Sequence, residues 1–453
     1  MNKKEIPSRH LSEMIQCRTV SRPDDSHISD ILIFHALLVK LYPLVHKRLD
    51  RKIIAGGSLL YLWNGISRNP SDSIVLMGHM DTVGANDSDW KHKPFSGELQ
   101  KGQHGLSDGR VWGRGTLDCK ANICAILEAV ESLLTEGFTP QVDVYLSFGH
   151  NEEVYGTGAA EIVKYLMEKE IHPAFVLDEG GAIVSNILPG LKKPCAMIGI
   201  TEKGVANFRF TARSTGGHAS TPPKRTPIGR LSSFAAGIEK KYPFPAALTK
   251  PVRDLFLKVG PDMEGPLRFV FSHAGFFAPL LKPVLNGMGG DARALVTTTC
   301  AFTMMSGSDK PNVLPEKAEM TANVRIGLND TISSVQKAFE KRALPYGIEV
   351  ECIMGQEPSP VSDTDTVMYK LMEKQLLLSY PNAKTAPYVM LASSDARHFT
   401  KICNQVFRFS PFALSPNQLA SIHGADENIQ IDSLTRGVHF YRNLVYNIIP
   451  GLK

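Results

Sequence analysis

Three apolar runs in this chain end in acids, and that combination restricts its fold more than any other feature. Val142, Val144, Leu146 and Phe148 lead through Gly149-His150-Asn151 into two adjacent carboxylates, Glu152 and Glu153. Ile74 to Met77 lead into Gly78-His79-Met80-Asp81, and Ala174 to Leu177 into Asp178-Glu179 and two glycines. Short apolar runs closed by glycine predict buried strands. Between them the apolar spacing changes to three and four. Ile123, Ile126, Leu127, Val130 and Leu134 share one helix face, and Ile162, Val163, Leu166 and Met167 share another. Strands alternating with helices predict an α/β fold, a mainly parallel central sheet with helices on both faces. Ligands of such sheets sit beyond the carboxyl ends of the strands, where all three polar clusters fall.

Two carboxylates side by side at a strand end must be solvated, share a proton or face a cation. Asp118 adds a further acid just before the first helix. It follows "LSDGRVWGRGTL", in which Asp108-Gly109 predicts a hairpin turn. If His79, Asp81, Asp118, Glu152, Glu153 and Asp178 share one cleft, the acids destabilise one another unless a cation is present. Histidine with carboxylate and no thiolate suits zinc, manganese or cobalt. A two-metal hydrolase is the economical reading.

From Gly199 the texture changes. Strand patterns at "GITEKGVANFRFTAR", "CAFTMMSG", "EMTANVRIGL" and "GIEVECIM" enclose helical patterns at "IGRLSSFAAGIEK" and "SSVQKAFEKRAL". That order, βαββαβ, predicts a small open sheet with helices on one face. The division expected is therefore a catalytic domain in two parts, 1–198 and 356–453, interrupted by an inserted α+β lid or dimerisation domain at 199–355. A Pro- and Phe-rich stretch at 242–297 interrupts the lid in turn. Its segment "LRFVFSHAGFFAPLLKPVL" (267–285) is apolar enough to line an acyl pocket or cover a dimer edge, with local core as the plainer role.

Composition removes other classes. Among 453 residues, 50 basic and 45 acidic side chains leave a net charge of +5 with no long basic run, which argues against nucleic acid as a partner. Seven cysteines without a CxxC pair fit a reducing compartment rather than a disulfide framework. The charged N-terminus lacks the apolar core of a signal peptide, and no run of about 18 apolar residues is present to span a membrane. The expected location is cytoplasmic, with no membrane partner.

Six segments in order, "GHMDTV", "GRGTLDCK", "GHNEEVYGTGA", "VLDEGG", "GGHAS" and "SIHGADENI", resemble the di-zinc exopeptidase family of aminoacylase, carboxypeptidase S and succinyl-diaminopimelate desuccinylase. "FHALLVKLYPLVH", "SLLYLWNG" and "SSDARHFT" bring the likeness closest to the carboxypeptidase S branch. The resemblance implies two Zn2+ per chain, with Co2+ or Mn2+ as substitutes. His79 and Asp178 would hold one ion, Glu153 and His423 the other, and Asp118 would bridge them. Asp81 would orient His79. Glu152 would take a proton from the water between the metals, so that one acid of the pair ligates and the other acts as base. His218 would stabilise the oxyanion, in its own subunit or a neighbour's. Arg325, with Asn312 assisting, would clamp the substrate's free carboxylate. The implied activity is release of a C-terminal amino acid from a short peptide or an N-acyl amino acid, and the lid could pair two copies in a homodimer. The family's Gly-Gly-Thr-Asp loop is replaced here by Ala392-Ser393-Ser394-Asp395. His150, Arg397 and His398 are expected to be structural or to support the residues that touch metal and substrate.

Three other readings compete. A non-catalytic peptide or amino-acid binder could keep the same fold. A cysteine hydrolase could use Cys119 at a helix start. A two-metal phosphoesterase would share the acids but has no use for Arg325 and His218.

Overall fold

The computed structural model describes residues 5–103, 105–186 and 190–451. The first four residues of the charged N-terminal stretch lie outside the described residues.

An eight-stranded sheet carries the molecule, in the order 50–54, 58–63, 144–149, 74–79, 175–184, 406–414, 195–202 and 384–390. Its centre is parallel, with 74–79 paired in parallel to 144–149 on one side and to 175–184 on the other. Alternation along Ile74–His79 explains the layers. Ile74 and Leu76 enter a core with the helix Ala121–Thr135 and the C-terminal helix Ile431–Asn447. Val75 and Met77 enter a second core on the opposite face, under Gly158–Glu168. Both faces are thus covered, as parallel strands require.

The chain leaves this sheet at Lys203, because the strand Cys195–Glu202 runs past the break expected at 198/199. Four antiparallel strands follow, ordered 299–306, 317–326, 204–213, 348–356. The helices Pro227–Lys240 and Ile332–Ala343 pack on one face through Phe208, Phe210, Phe234 and Phe339. On the other face Arg209 lies among Glu319 and Glu351, a solvated ion-pair surface.

The helices of 250–296 do not join that small core. Val252, Leu255, Phe256 and Val259 pack on Cys195, Met197, Ala386 and Val389 at the edge of the large sheet. Within the 267–285 segment, Leu281 and Leu285 enter this local core, while Phe269 and Phe276 are exposed. Asp108-Gly109 is not a turn. Both residues lie inside the strand Gly105–Trp112, which pairs with 99–102 and 428–430.

Candidate metal and catalytic site

The strand ends converge. His79 closes its strand and places Nε2 2.8 Å from Asp118 Oδ1, while its Nδ1 faces the Asp81 backbone oxygen at 3.0 Å. The buried Asp81 carboxylate accepts from Ser21 Oγ at 2.7 Å and from the backbone N–H groups of Glu152 and Glu153 at 3.2 and 3.1 Å. One acid therefore fixes both the loop that presents His79 and the backbone beneath the acid pair. Asp118 sits in an irregular turn and is joined to Cys119 by a cis bond. Its loop is held by buried Glu427, which accepts from Leu117 N at 2.6 Å, Asp118 N at 3.2 Å and Arg114 Nη1 at 2.7 Å. His423 brings Nε2 to 3.0 Å from Asp118 Oδ2 and 3.1 Å from Glu153 Oε2.

Two donor groups result, both containing Asp118: His79, Asp118 and Glu179, and Asp118, Glu153 and His423. Within each group the donor atoms lie within 4.8 Å of one another. Asp178, the expected ligand, falls in neither group, and its neighbour Glu179 falls in the first. Asp178 Oδ1 accepts from the Glu179 N–H at 2.8 Å and Oδ2 from the Ala396 N–H at 2.9 Å, so backbone donors take both oxygens. A break in register explains the exchange. Asp178 pairs with Arg408 and Gly181 with Phe409, leaving Glu179 and Gly180 as a bulge that re-aims the glutamate. Gly181 must lack a side chain, since a Cβ would clash with the Met197 carbonyl oxygen.

The donor set fits a divalent cation. A neutral imidazole has one N–H, yet both nitrogens of His79 face acceptors, so positive charge is required at that point. Glu153 Oε1 is buried without a hydrogen-bond partner. Burial pushes Glu179 well above the usual carboxylate range, reinforced by the charges of Asp118 and Asp178. His423 is pushed up to about 10 by its hydrogen bonds to Asp118 and Glu153. In both shifts the neighbouring carboxylates contribute negative charge that a cation offsets.

Glu152 belongs to neither donor group but lines the same cleft, of about 430 Å3, with Asp118, Glu153, Glu179 and His423. Burial pushes its carboxyl well above the ordinary value. Arg325, at the end of its lid strand, also lines this cleft and donates from Nη1 to Ser393 Oγ at 3.2 Å. The Ser393 side chain, standing where the family loop has glycine, thus meets the lid arginine. His218 and Asn312 are not brought in. His218 is exposed, pairs with Val313 in a two-residue ladder, and has its Nδ1 2.6 Å from Ser220 Oγ. Asn312 is joined to the same turn by its carbonyl, which accepts from Ala219 N at 3.0 Å.

Arg397 lies behind Glu152, the supporting position that the sequence allowed for it. Its Nη2 lies 4.0 Å from Glu152 Oε1 and its Nε 3.7 Å from Glu202 Oε1, and its Nη1 donates to Gln356 Oε1. Glu202 and Gln356 are the residues at which the chain leaves the large sheet and returns from the small one. Glu427 was missed, although it stands in the "GADENI" segment. Cys119 does not suit a nucleophile, because it is fully buried and burial pushes its thiol upward.

Comparison with known proteins agrees with this fold. The model of Peptidase family M20/M25/M40 matches residues 75–447. A probable carboxypeptidase S-like 2 of Dictyostelium discoideum is 37% identical over 431 residues, covering 93% of this chain and 80% of its own. The N-fatty-acyl-amino acid synthase/hydrolase PM20D1 of Mus musculus is 31% identical over 446 residues, covering 96% and 86%. Among solved structures, the M20 family metallo-carboxypeptidase Sso-CP2 from Sulfolobus solfataricus superposes with a TM-score of 0.71 at 18% identity, over 98% of this chain and 99% of that one. Human carnosine dipeptidase 1 gives 0.69 at 13% identity, over 98% and 96%. With the family model spanning most of its length, the chain belongs to peptidase family M20/M25/M40.

Proposed function

We propose that this metal-dependent amide hydrolase is an exopeptidase or aminoacylase that releases an amino acid bearing a free carboxylate from a short peptide or an N-acyl amino acid. The observation that carries the reading is the pair of donor groups sharing Asp118, with Glu152 beside them and outside both. His79, Asp118 and Glu179 would hold one Zn2+, and Asp118, Glu153 and His423 a second, with Co2+ or Mn2+ able to substitute. Such ions polarise a scissile carbonyl and lower the pKa of water. Glu152 takes the proton of the attacking water and returns it to the leaving nitrogen. Arg325 binds the substrate carboxylate through its planar fork, with Ser393 fixing the fork's direction.

His218 donates to the oxyanion of the tetrahedral state, with Asn312 ordering the same turn. Its distance from the cleft favours delivery by lid closure or by a second copy paired through the lid domain. The seven scattered cysteines favour a reducing, cytoplasmic setting. Among the described residues no helix is long and apolar enough to cross a membrane.

The test is turnover by metal-loaded protein of dipeptides and N-acyl amino acids, each offered with a free and an amidated carboxyl end. Selective cleavage of the free-carboxylate members is expected. Binding of these compounds without turnover of any would instead support the non-catalytic binder.

A further inference from the structure

A second cleft, of about 580 Å3, lies against the first, and the proposed function gives it no role. It opens between the large sheet and the helices Lys250–Val259 and Gly290–Val296. Leu255 and Leu295 come from those helices, Val184, Tyr388 and Leu391 from the sheet and the loop after it. Gly180, Ala182 and Leu419 line both clefts, so the two spaces share one wall. That wall is thin where it is glycine, and Leu419 stands on a single short helix, Pro416–Ser421.

The chemistry of the lining selects the occupant. Among the described residues no lysine or arginine lines this cleft, so no cation there holds a carboxylate or phosphate, and its neutral polar side chains are Ser185, Asn186 and Tyr388. Its one acid, Asp291, is exposed and repels anions. Leu295, Leu391 and Leu419 remain partly exposed, apolar surface that a hydrocarbon would remove from water. The volume is that of a ligand site rather than of one amino-acid side chain. The segment 267–285, the sequence-based candidate for an acyl pocket, lines neither cleft.

We infer that this second cleft is a binding site for the neutral hydrocarbon arm of an N-acyl amino acid, and that Leu255, Leu295 and Tyr388 set the acyl length the enzyme prefers. The inference rests on the proposed hydrolysis and adds a subsite to it. The acyl chain passes the Gly180–Leu419 wall while the amide stays beside Glu152. Each methylene buried raises kcat/KM by roughly threefold to fourfold until the cleft is full.

The experiment measures kcat/KM for N-acyl derivatives of one amino acid, from acetyl to palmitoyl, on metal-loaded wild type, Leu295→Trp and Leu295→Ala. The expected result is a steep rise with chain length in wild type. Leu295→Trp, which fills the cleft, lowers the long-to-short ratio at least about tenfold, and Leu295→Ala moves the optimum to longer chains. A flat wild-type profile beside brisk cleavage of the acetyl compound, or an unchanged profile in both variants, overturns the inference while leaving the hydrolase reading intact. Displacement of a dansylated undecanoic acid from wild-type protein gives a readout independent of turnover. N-palmitoyl but not N-acetyl amino acid should displace it, and failure of the palmitoyl compound to do so also overturns the subsite. If no amide is cleaved, the hydrolase reading fails, and displacement alone decides whether the cleft takes a hydrocarbon.

Discussion

The strand-end cluster and the lid turn bearing His218 assemble chemistry in opposite ways. At the strand ends every group is fixed by several others: Asp81 alone accepts three hydrogen bonds, and Glu427 braces the Asp118 loop from buried backbone donors. The lid turn rests on a ladder of two residue pairs, with His218 exposed and its ring engaged by the nearby Ser220. A buried excess of negative charge needs a rigid frame, because each acid is stable only at fixed positions relative to the others and to a cation. A donor that must reach substrate after binding needs the reverse. The difference separates residues that hold the site from a residue delivered to it.

Substitutions in the two regions should differ in kind. The largest effect is expected for Glu152→Gln, with kcat lower by about 10²- to 10⁴-fold and metal content by elemental analysis unchanged. His218→Ala follows, with kcat down by about 10²- to 10³-fold but unfolding free energy within about 0.5 kcal/mol of wild type, as for other exposed sites. Mixing inactive His218→Ala and Glu152→Gln chains sharpens the comparison. Recovery of activity in the mixture shows that His218 serves a partner's cleft, and its absence shows that each lid serves its own. Arg325→Ala should raise KM by roughly ten- to a hundredfold for free-carboxylate substrates, with little change for amidated ones, since hydrogen bonds to charged groups contribute about 1.5–3 kcal/mol. Equal losses on both substrate types would remove the clamp. The smallest effect belongs to Arg397→Gln, about fivefold in kcat, because a pair at 4.0 Å contributes at most about 1 kcal/mol. Arg397→Lys should recover part of it.

Much of this arrangement is legible in the sequence because the strands are short and end in chemistry. The runs before His79 and Glu152 predict both the sheet and the side of it that carries the site, and βαββαβ spacing predicts the small sheet. The choice between Asp178 and Glu179 is not legible. Neighbouring strand residues point to opposite faces, and a bulge set by pairing with 406–414 decides which enters the cleft. Asp108-Gly109 misleads for a related reason: the strand Gly105–Trp112 carries through the pair, held on both sides just beyond it at Arg110 and Val111. Glu427 escapes notice, and the partner of Arg397 stays unknown, because Asp118 and Glu202 are roughly 300 and 200 positions away in the chain, and local pattern carries no such contact.

The most direct test of the central claim is the metal content of Glu179→Gln and Asp178→Asn beside wild type, by elemental analysis after equilibration with Zn2+ and removal of free ion. If two donor groups share Asp118 and Glu179 completes the first, wild type and Asp178→Asn retain two ions per chain and Glu179→Gln retains one. Two ions in Glu179→Gln with one in Asp178→Asn would return the role to Asp178 and contradict the geometry described here.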